Sequence, residues 1–276
     1  MQKRKWKRFA RNRGAVVGLG ILVLFLLFAA LAPVIAPQNP NKTHLRASLA
    51  PPSRDALLGR DQLGRDVLSR IIYGARTSFL IGASATAAAA LVGVLLGLVA
   101  GYHSGVRGGI IMRIVDIMLA FPEFLVALVV VGILGPGFYN VLISIAIVFV
   151  PRFVRITRAS ALSVRENDYI QAAVAIGAGN GRMMFAHVLP NCLAPAIVQG
   201  TLLIGDAILI SAGLGFLGLG AQPPLAEWGA MLSDGRGYIA TAPHIATFPG
   251  LAIMFMVIGF NLVGDSLRDT LDVRLT

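Results

Sequence analysis

Three carboxylates, Asp116, Glu123 and Asp206, stand in stretches otherwise built of Leu, Ile, Val, Ala, Phe and Gly. A carboxylate in apolar surroundings is costly, so it faces a bundle interior or a wet path, where it can hold a proton, a cation or an ammonium group. Asp116 and Glu123 are seven residues apart, which is two turns and places them on one face of a continuous helix. Such a face could form part of a translocation path with Asp206. The plainer account is local, because Arg113 lies one turn before Asp116 and offers an ion pair. Pro122, beside Glu123, is expected to bend the segment and free a carbonyl.

Other chemistries lack their residues. The four lysines are at 3, 5, 7 and 42, and none follows a glycine, so the Gly-Lys-Ser/Thr phosphate loop cannot form and any ATP is hydrolysed by another chain. Gly213-Leu-Gly215-Phe-Leu-Gly218 matches the dinucleotide fingerprint in letters only. No strand precedes it and it closes an apolar segment, which fits close helix packing or a backbone break at a helix end. His44, His103, His187 and His244 lack metal-ligand spacing, and no nucleophile stands with a base, so neither a metal site nor an enzyme is expected. Cys192 is the sole cysteine and reads as a small packing residue.

The elements that hold these residues are membrane spans. Hydrophobic residues make up 56% of the 276 and charged ones 13%, where a soluble domain has roughly a quarter charged. Crossing a core of about 30 Å takes ~20 helical residues, and six segments qualify: 14–36, 77–101, 111–134, 139–158, 193–217 and 245–264. The first follows a basic stretch, as a secretory signal does, but it exceeds an h-region and reads as an uncleaved anchor. Lys3, Arg4, Lys5, Lys7, Arg8, Arg11 and Arg13 put the amino terminus inside, and six crossings bring the carboxyl terminus back to that side. Loops with Arg107, Arg152, Arg155, Arg158, Arg165 and Arg182 would also lie inside. The conflict is the segment after the first span, where Lys42, Arg46, Arg54, Arg60, Arg65, Arg70 and Arg76 would lie outside. The net charge of +11 sits at membrane edges and does not form a nucleic-acid surface.

Two polar stretches stand out. In 159–191, Ser163-x-x-Glu166 fits a capping box that would start a helix. Tyr169, Ala172, Ala173 and Ile176 then form a thin apolar stripe, before Gly177, Gly179 and Gly181 reverse the chain. A second short helix from Asn180, carrying Arg182 to His187, is expected to stop at Pro190, giving two helices parallel to the membrane. On periodicity alone this is equally an amphipathic hairpin lying on lipid. On the outer side, Leu63, Val67 and Ile71 share one face among polar residues, which predicts a short interfacial helix, or a linker helix that braces the bundle. Gly93, Gly97 and Gly101 line one face of the second span and allow close backbone approach.

Gln171-Ala-Ala, Gly177 and His187-Val-Leu-Pro190 together resemble the cytoplasmic "EAA" loop of binding-protein-dependent ABC importer permeases. The resemblance extends along the chain. Leu58-Gly-Arg-Asp-Gln-Leu-Gly-Arg-Asp-Val-Leu-Ser-Arg-Ile-Ile-Tyr-Gly-Ala-Arg76, Ser211-Ala-Gly-Leu-Gly-Phe-Leu-Gly-Leu-Gly220, Trp228-Gly-Ala-Met-Leu and Gly264-Asp-Ser-Leu-Arg-Asp-Thr-Leu-Asp272 are similar to the dipeptide, oligopeptide and nickel importer subfamily. Gln171 departs where the family usually has Glu, which keeps length and helix propensity but loses a charge. The chain also has Arg60 where the family reads Thr, and Asp272-Val-Arg274 where it reads Asp-Pro-Arg.

The resemblance implies an all-α, six-span type I ABC importer permease with both termini in the cytoplasm of a bacterial cell, embedded in the inner membrane. Its parts would be a basic amino terminus at 1–13, an anchor at 14–36, a periplasmic segment at 37–76, a five-helix core at 77–264 and a cytoplasmic tail at 265–276. Tyr169, Gln171, Ala172, Ala173, Gly177, Arg182, His187, Leu189 and Pro190 would couple to an ATPase, with Asp61, Gly64, Arg65, Asp66 and Arg70 meeting a binding protein. The implied partners are a homologous second permease, two ATPase subunits that hold ATP and Mg, and an extracytoplasmic binding protein. No cofactor is expected in this chain. The implied cargo is dipeptides or oligopeptides, with nickel or metal chelates and glutathione as alternatives. An ion-coupled secondary carrier would instead use Asp116, Glu123 and Asp206 with an internal repeat, which is absent from the sequence. A membrane scaffold would need neither the loop nor the carboxylates.

Overall fold

A computed structural model describes residues 12–103 and 105–271. The basic residues at 3–11 and the positions 272–276 lie outside them. The long helices are α1 (Arg13–Ile35), α2 (Val67–Tyr102), the pair α3 (Val106–Leu119) and α4 (Glu123–Leu134), α5 (Phe138–Arg165), α7 (Asn180–Phe216) and α9 (His244–Leu271). Two short ones, α6 (Asp168–Ala175) and α8 (Trp228–Gly235), lie between spans. Most helices outrun their apolar windows, since hydropathy marks the hydrocarbon slab while the backbone stays helical beyond it.

Contacts along the helices fix their directions. Gly93, Gly97 and Gly101 of α2 meet Phe153, Val154 and Ala161 of α5 in ascending order, so these two helices run parallel. The chain between them must therefore cross back, and α3 with α4 is that crossing, bent by 92° between Leu119 and Glu123. What the sequence predicts as one span at 111–134, bent at Pro122, is two half-spans. Pro122 supplies the cause, because its ring and missing N–H prevent the helix from running through. In the other direction, Gly14 of α1 lies by Ser266 and Gly18 by Leu262 and Gly259 of α9, while Gly205 of α7 lies by Phe260 and Gly264 of α9 by Leu202, descending orders that make those pairs antiparallel. Both described ends, Asn12 and Leu271, thus lie on the same side as Tyr102 and Arg165.

Small residues make these approaches possible. A Cβ at Gly93, Gly97 or Gly101 would run into the α5 backbone or side chains, the packing chemistry favoured where lipid supplies no hydrophobic drive between helices. Thr86, Ser144, Thr157 and Ser211 are buried in this bundle, among the hydrophobic core of Ile81, Ile145, Phe149, Phe153 and Leu203.

The outer side is a compact cap. α2 begins at Val67 and continues into the span, so the expected interfacial helix over Leu63, Val67 and Ile71 is absent, with Leu63 in the preceding loop. Asp66 caps α2, accepting from Ser69 N at 2.8 Å and Ser69 Oγ at 2.6 Å. Asp61 accepts from Arg65 Nε at 2.6 Å and lies 3.7 Å from Arg70 Nε, while Arg65 reaches Asp234 at 3.3 Å. Gly64, at φ +72°, sits where a Cβ would meet the His44 carbonyl. Opposite, Trp228 packs over Gly74 and donates Nε1 to the Ile71 carbonyl at 3.0 Å.

Glu227 caps α8 from a fully buried position, accepting from Gly229 N at 2.9 Å and Ala230 N at 2.8 Å. Burial outweighs those two bonds and pushes its carboxyl up to about 7 from 4.5. Between these values the unfolded chain releases a proton that the folded cap retains. Stability of the cap is therefore full below the lower value, falls as pH rises through the higher one and levels off above it, a difference of order 3 kcal/mol at most. Hydrogen-exchange protection factors of the Trp228–Gly235 amides should fall between pH 5 and pH 8, and Glu227→Gln should flatten that dependence.

Candidate functional site

The loop at 166–190 is held between three spans. Ser163 lies inside α5, which ends at Arg165 with Glu166 N bonded to the Ser163 carbonyl, so the expected capping box does not form. α6 follows at Asp168, ends at Ala175 and is closed by Gly177, whose φ is +85°. Ala178 N reaches the Ala173 carbonyl at 3.1 Å, the 6→1 bond of a Schellman close. The chain then re-enters a helix at Asn180 that continues to Phe216. Pro190 does not stop it. A π turn at Met183–Val188 shifts the bonding to i→i+5 just before the proline, with Leu189 N on the Met184 carbonyl, and the helix passes through.

α6 has two faces. Ile170 and Ala173 turn inward with Ala178 onto Leu98, Ala161, Met183, Met184, Val188 and Cys192. Tyr169, Gln171, Ala172 and Ile176 are exposed, Tyr169 by 50% and Ile176 by 87%, and Phe185 adds another exposed ring. The sequence stripe is therefore split, with Ala173 belonging to the loop's own packing. Arg182 and Pro190 are exposed, whereas His187 and Leu189 are half-buried. Among the described residues, no atom beyond its chain neighbours lies within 4 Å of where a Cβ on Gly177 would stand, so its requirement is conformational.

Polar contacts tie this loop to the bundle. Arg165 Nη1 donates to the Tyr102 carbonyl at 2.7 Å and its guanidinium lies 5.7 Å from the Tyr102 ring centroid. Tyr102 Oη donates to Asn180 Oδ1 at 3.0 Å. Asn191 Nδ2 donates to the His187 carbonyl at 2.7 Å and to Tyr169 Oη at 3.4 Å. The ends of α2 and α5 and the start of α7 thus meet in one cluster beneath α6.

Deeper in the bundle, Arg152 gathers two of the three carboxylates. Its Nε and Nη2 donate to Glu123 Oε1 and Oε2 at 2.5 and 2.8 Å, and Nη1 donates to Asp206 Oδ2 at 2.8 Å. One turn along, Arg155 Nη2 donates to Asp116 Oδ1 at 3.0 Å. Asp116 is thus engaged by Arg155, not by Arg113, and the 92° bend removes the shared face predicted for Asp116 and Glu123. Each half of the broken span is instead pinned by one arginine of α5. Sequence reading missed these arginines by assigning them to a loop, although Arg152, Arg155 and Arg158 fall within the span predicted at 139–158. The bidentate Arg152–Glu123 fork is the strongest of these bonds, and all five side chains keep partial exposure in the isolated chain.

The outer candidates have a different fate. Asp61, Arg65, Asp66 and Arg70 are buried, so their side chains hold the cap together and are not offered to a partner.

Residues 93–276 match the family of binding-protein-dependent transport system inner membrane components, and residues 3–52 match the N-terminal TM domain of oligopeptide transport permease C. The chain belongs to the first of these families. The di/tripeptide transport system permease protein DppC of Pseudomonas aeruginosa is 49% identical across 99% of this chain and 92% of its own length. The dipeptide transport system permease protein DppC of Escherichia coli K12 is 51% identical across 98% and 92%. A probable D,D-dipeptide transport system permease protein of the same organism is 45% identical across 92% and 85%. The chain is accordingly an all-α, multi-pass permease of the bacterial inner membrane that works with the other components of such a transport system.

Removing Arg152 leaves Glu123 and Asp206 without their counter-ion, so Arg152→Met should destabilise the permease by about 1–2 kcal/mol, less than the ~3–5 of a fully buried pair. Thermal melting in detergent checks this. The triple change Arg152→Met, Glu123→Gln and Asp206→Asn should recover most of the loss.

Proposed function

We propose that this chain forms half of the channel of an ATP-driven importer for dipeptides or oligopeptides. The observation that carries the reading is the exposed stripe of Tyr169, Ala172 and Ile176 on a helix tied to the ends of three spans. A surface with that shape transmits motion only if something grips it from the cytoplasm. An ATPase subunit is the partner of that kind, and its ATP and Mg lie in that subunit, since this chain has no phosphate loop. Peptide cargo is supported by the relatives near 50% identity over almost the full chain, which are di/tripeptide and dipeptide transport permeases by name.

In this reading the permease is not itself an enzyme, and it pairs with a homologous second permease, two ATPases and an extracytoplasmic binding protein. ATP-driven approach of the two ATPases moves α6, and the cluster beneath it passes the displacement to α2, α5 and α7. The gate then alternates between inward-facing and outward-facing arrangements. Asp116, Glu123 and Asp206 line the path between the halves, where lipid cannot reach them. An ion-coupled carrier would need these carboxylates available to its ion, whereas all three are engaged by α5 arginines.

Ala172→Arg places bulk on the exposed face of α6, and Gly177→Val adds a left-handed penalty of roughly 1–2 kcal/mol where volume is otherwise free. Both should abolish the ATPase stimulation given by cargo-loaded binding protein while the permease still assembles in the membrane. Ala173→Arg is the poorer probe, because Ala173 packs inward and its change would disturb the loop itself. Copurification followed by an ATPase assay checks the set, and stimulation surviving in both exposed-face variants would refute the coupling role.

A further inference from the structure

The outer side sorts its charges by sign. Residues 36–76, 135–139 and 217–243 carry eight cations against five carboxylates. Three of those carboxylates, Asp61, Asp66 and Glu227, are buried and used inside the cap as ion-pair or helix-capping groups. Among the cations only Arg65 and Arg70 are buried with them. Lys42, Arg46, Arg54, Arg76 and Arg236 remain exposed, and none of the five makes a salt bridge among the described residues. The exposed carboxylates on this side are Asp55 and Asp234, and Asp234 already faces Arg65.

Lys42, Arg46 and Arg54 belong to one short stretch ahead of α2. The 3₁₀ turn Leu45–Ala47 projects Arg46 beside Leu45, which is 70% exposed, and Leu57 is 60% exposed a few residues on. A cleft of about 470 Å³ between this turn and Arg60 is lined by Thr43, His44, Leu45, Arg46 and Ala47. Exposed leucines interspersed along the chain with exposed cations, on a segment outside the spans, describe a contact surface with apolar anchors and charged neighbours.

We propose that the stretch 42–57 is where the extracytoplasmic binding protein docks, through an acidic surface of that protein, and that the basic rim steers its approach. This rests on the importer reading above and adds the partner's chemistry and the contact's location. It also replaces the buried set of Asp61, Arg65, Asp66 and Arg70, and gives a reason for the positive charge that the sequence places on the wrong side of the membrane. Charge on a rim acts mainly on association rate and is screened by salt.

The test is stopped-flow association of cargo-loaded binding protein with the full transporter in nanodiscs of zwitterionic lipid, from 20 to 500 mM salt. The proposal expects the rate to fall about tenfold or more across that range. The double reversal Arg46→Glu, Arg54→Glu should slow association at low salt by a similar factor and flatten the salt dependence. Leu45→Ala should speed dissociation without changing the salt slope. A rate indifferent to salt and to the reversals would overturn the proposal, and if loaded binding protein still stimulated the ATPases the importer reading would stand without it. A salt effect found only when anionic lipid is added would assign the patch to the membrane surface and equally overturn it.

Discussion

The glycine face of α2 against α5 is the contact on which the rest depends. Gly93, Gly97 and Gly101 let two backbones lie side by side in the same direction, and lipid gives no hydrophobic reason for that pairing, so it must come from close packing. Because parallel neighbours cannot be joined by a short turn, a third crossing has to be inserted between them. That crossing is the bent pair α3 and α4. The same alignment brings Tyr102 and Arg165 to one level, and their contact creates the seat on which α6 rests.

The two charged centres follow from this frame. Arg152 and Arg155 project from α5 one turn apart, and each takes a carboxylate from one half of the interrupted span. The bend is thus fixed by Pro122 in the backbone and by two ion pairs in the side chains. On the outer side, carboxylates are consumed as caps and counter-ions within the fold, which leaves the surface basic. Both arrangements obey one rule: charges taken from water are ion-paired or hydrogen-bonded, and those without a partner remain where water reaches.

Much of this was legible in the sequence. Span number and the glycine that closes α6 follow from hydropathy and the conformational demands of Gly177. The features that escaped depend on partners distant in the chain. Pro122 signalled a bend but not its size, since 92° reflects how α4 packs on α5. Pro190 looked like a stop because a local rule cannot foresee the π turn that absorbs it. Arg152 looked like a loop cation because its counter-ions lie 29 and 54 residues away. Arg65 looked like a surface group because its distant partner, Asp234 at the end of α8, lies 169 residues away.

The central claim is that α6 moves as one body with the spans beneath it. Spin labels at Asp168 on α6, off the exposed stripe, and Leu95 on α2, in a Cys192→Ser background that removes this chain's one native thiol, measure this inside a single permease of the assembled transporter. The account predicts a distance that stays the same between the nucleotide-free and ATP-trapped states while distances to the opposite half of the channel change. A change of several ångströms between Asp168 and Leu95 would mean that the loop hinges independently, and would contradict the account.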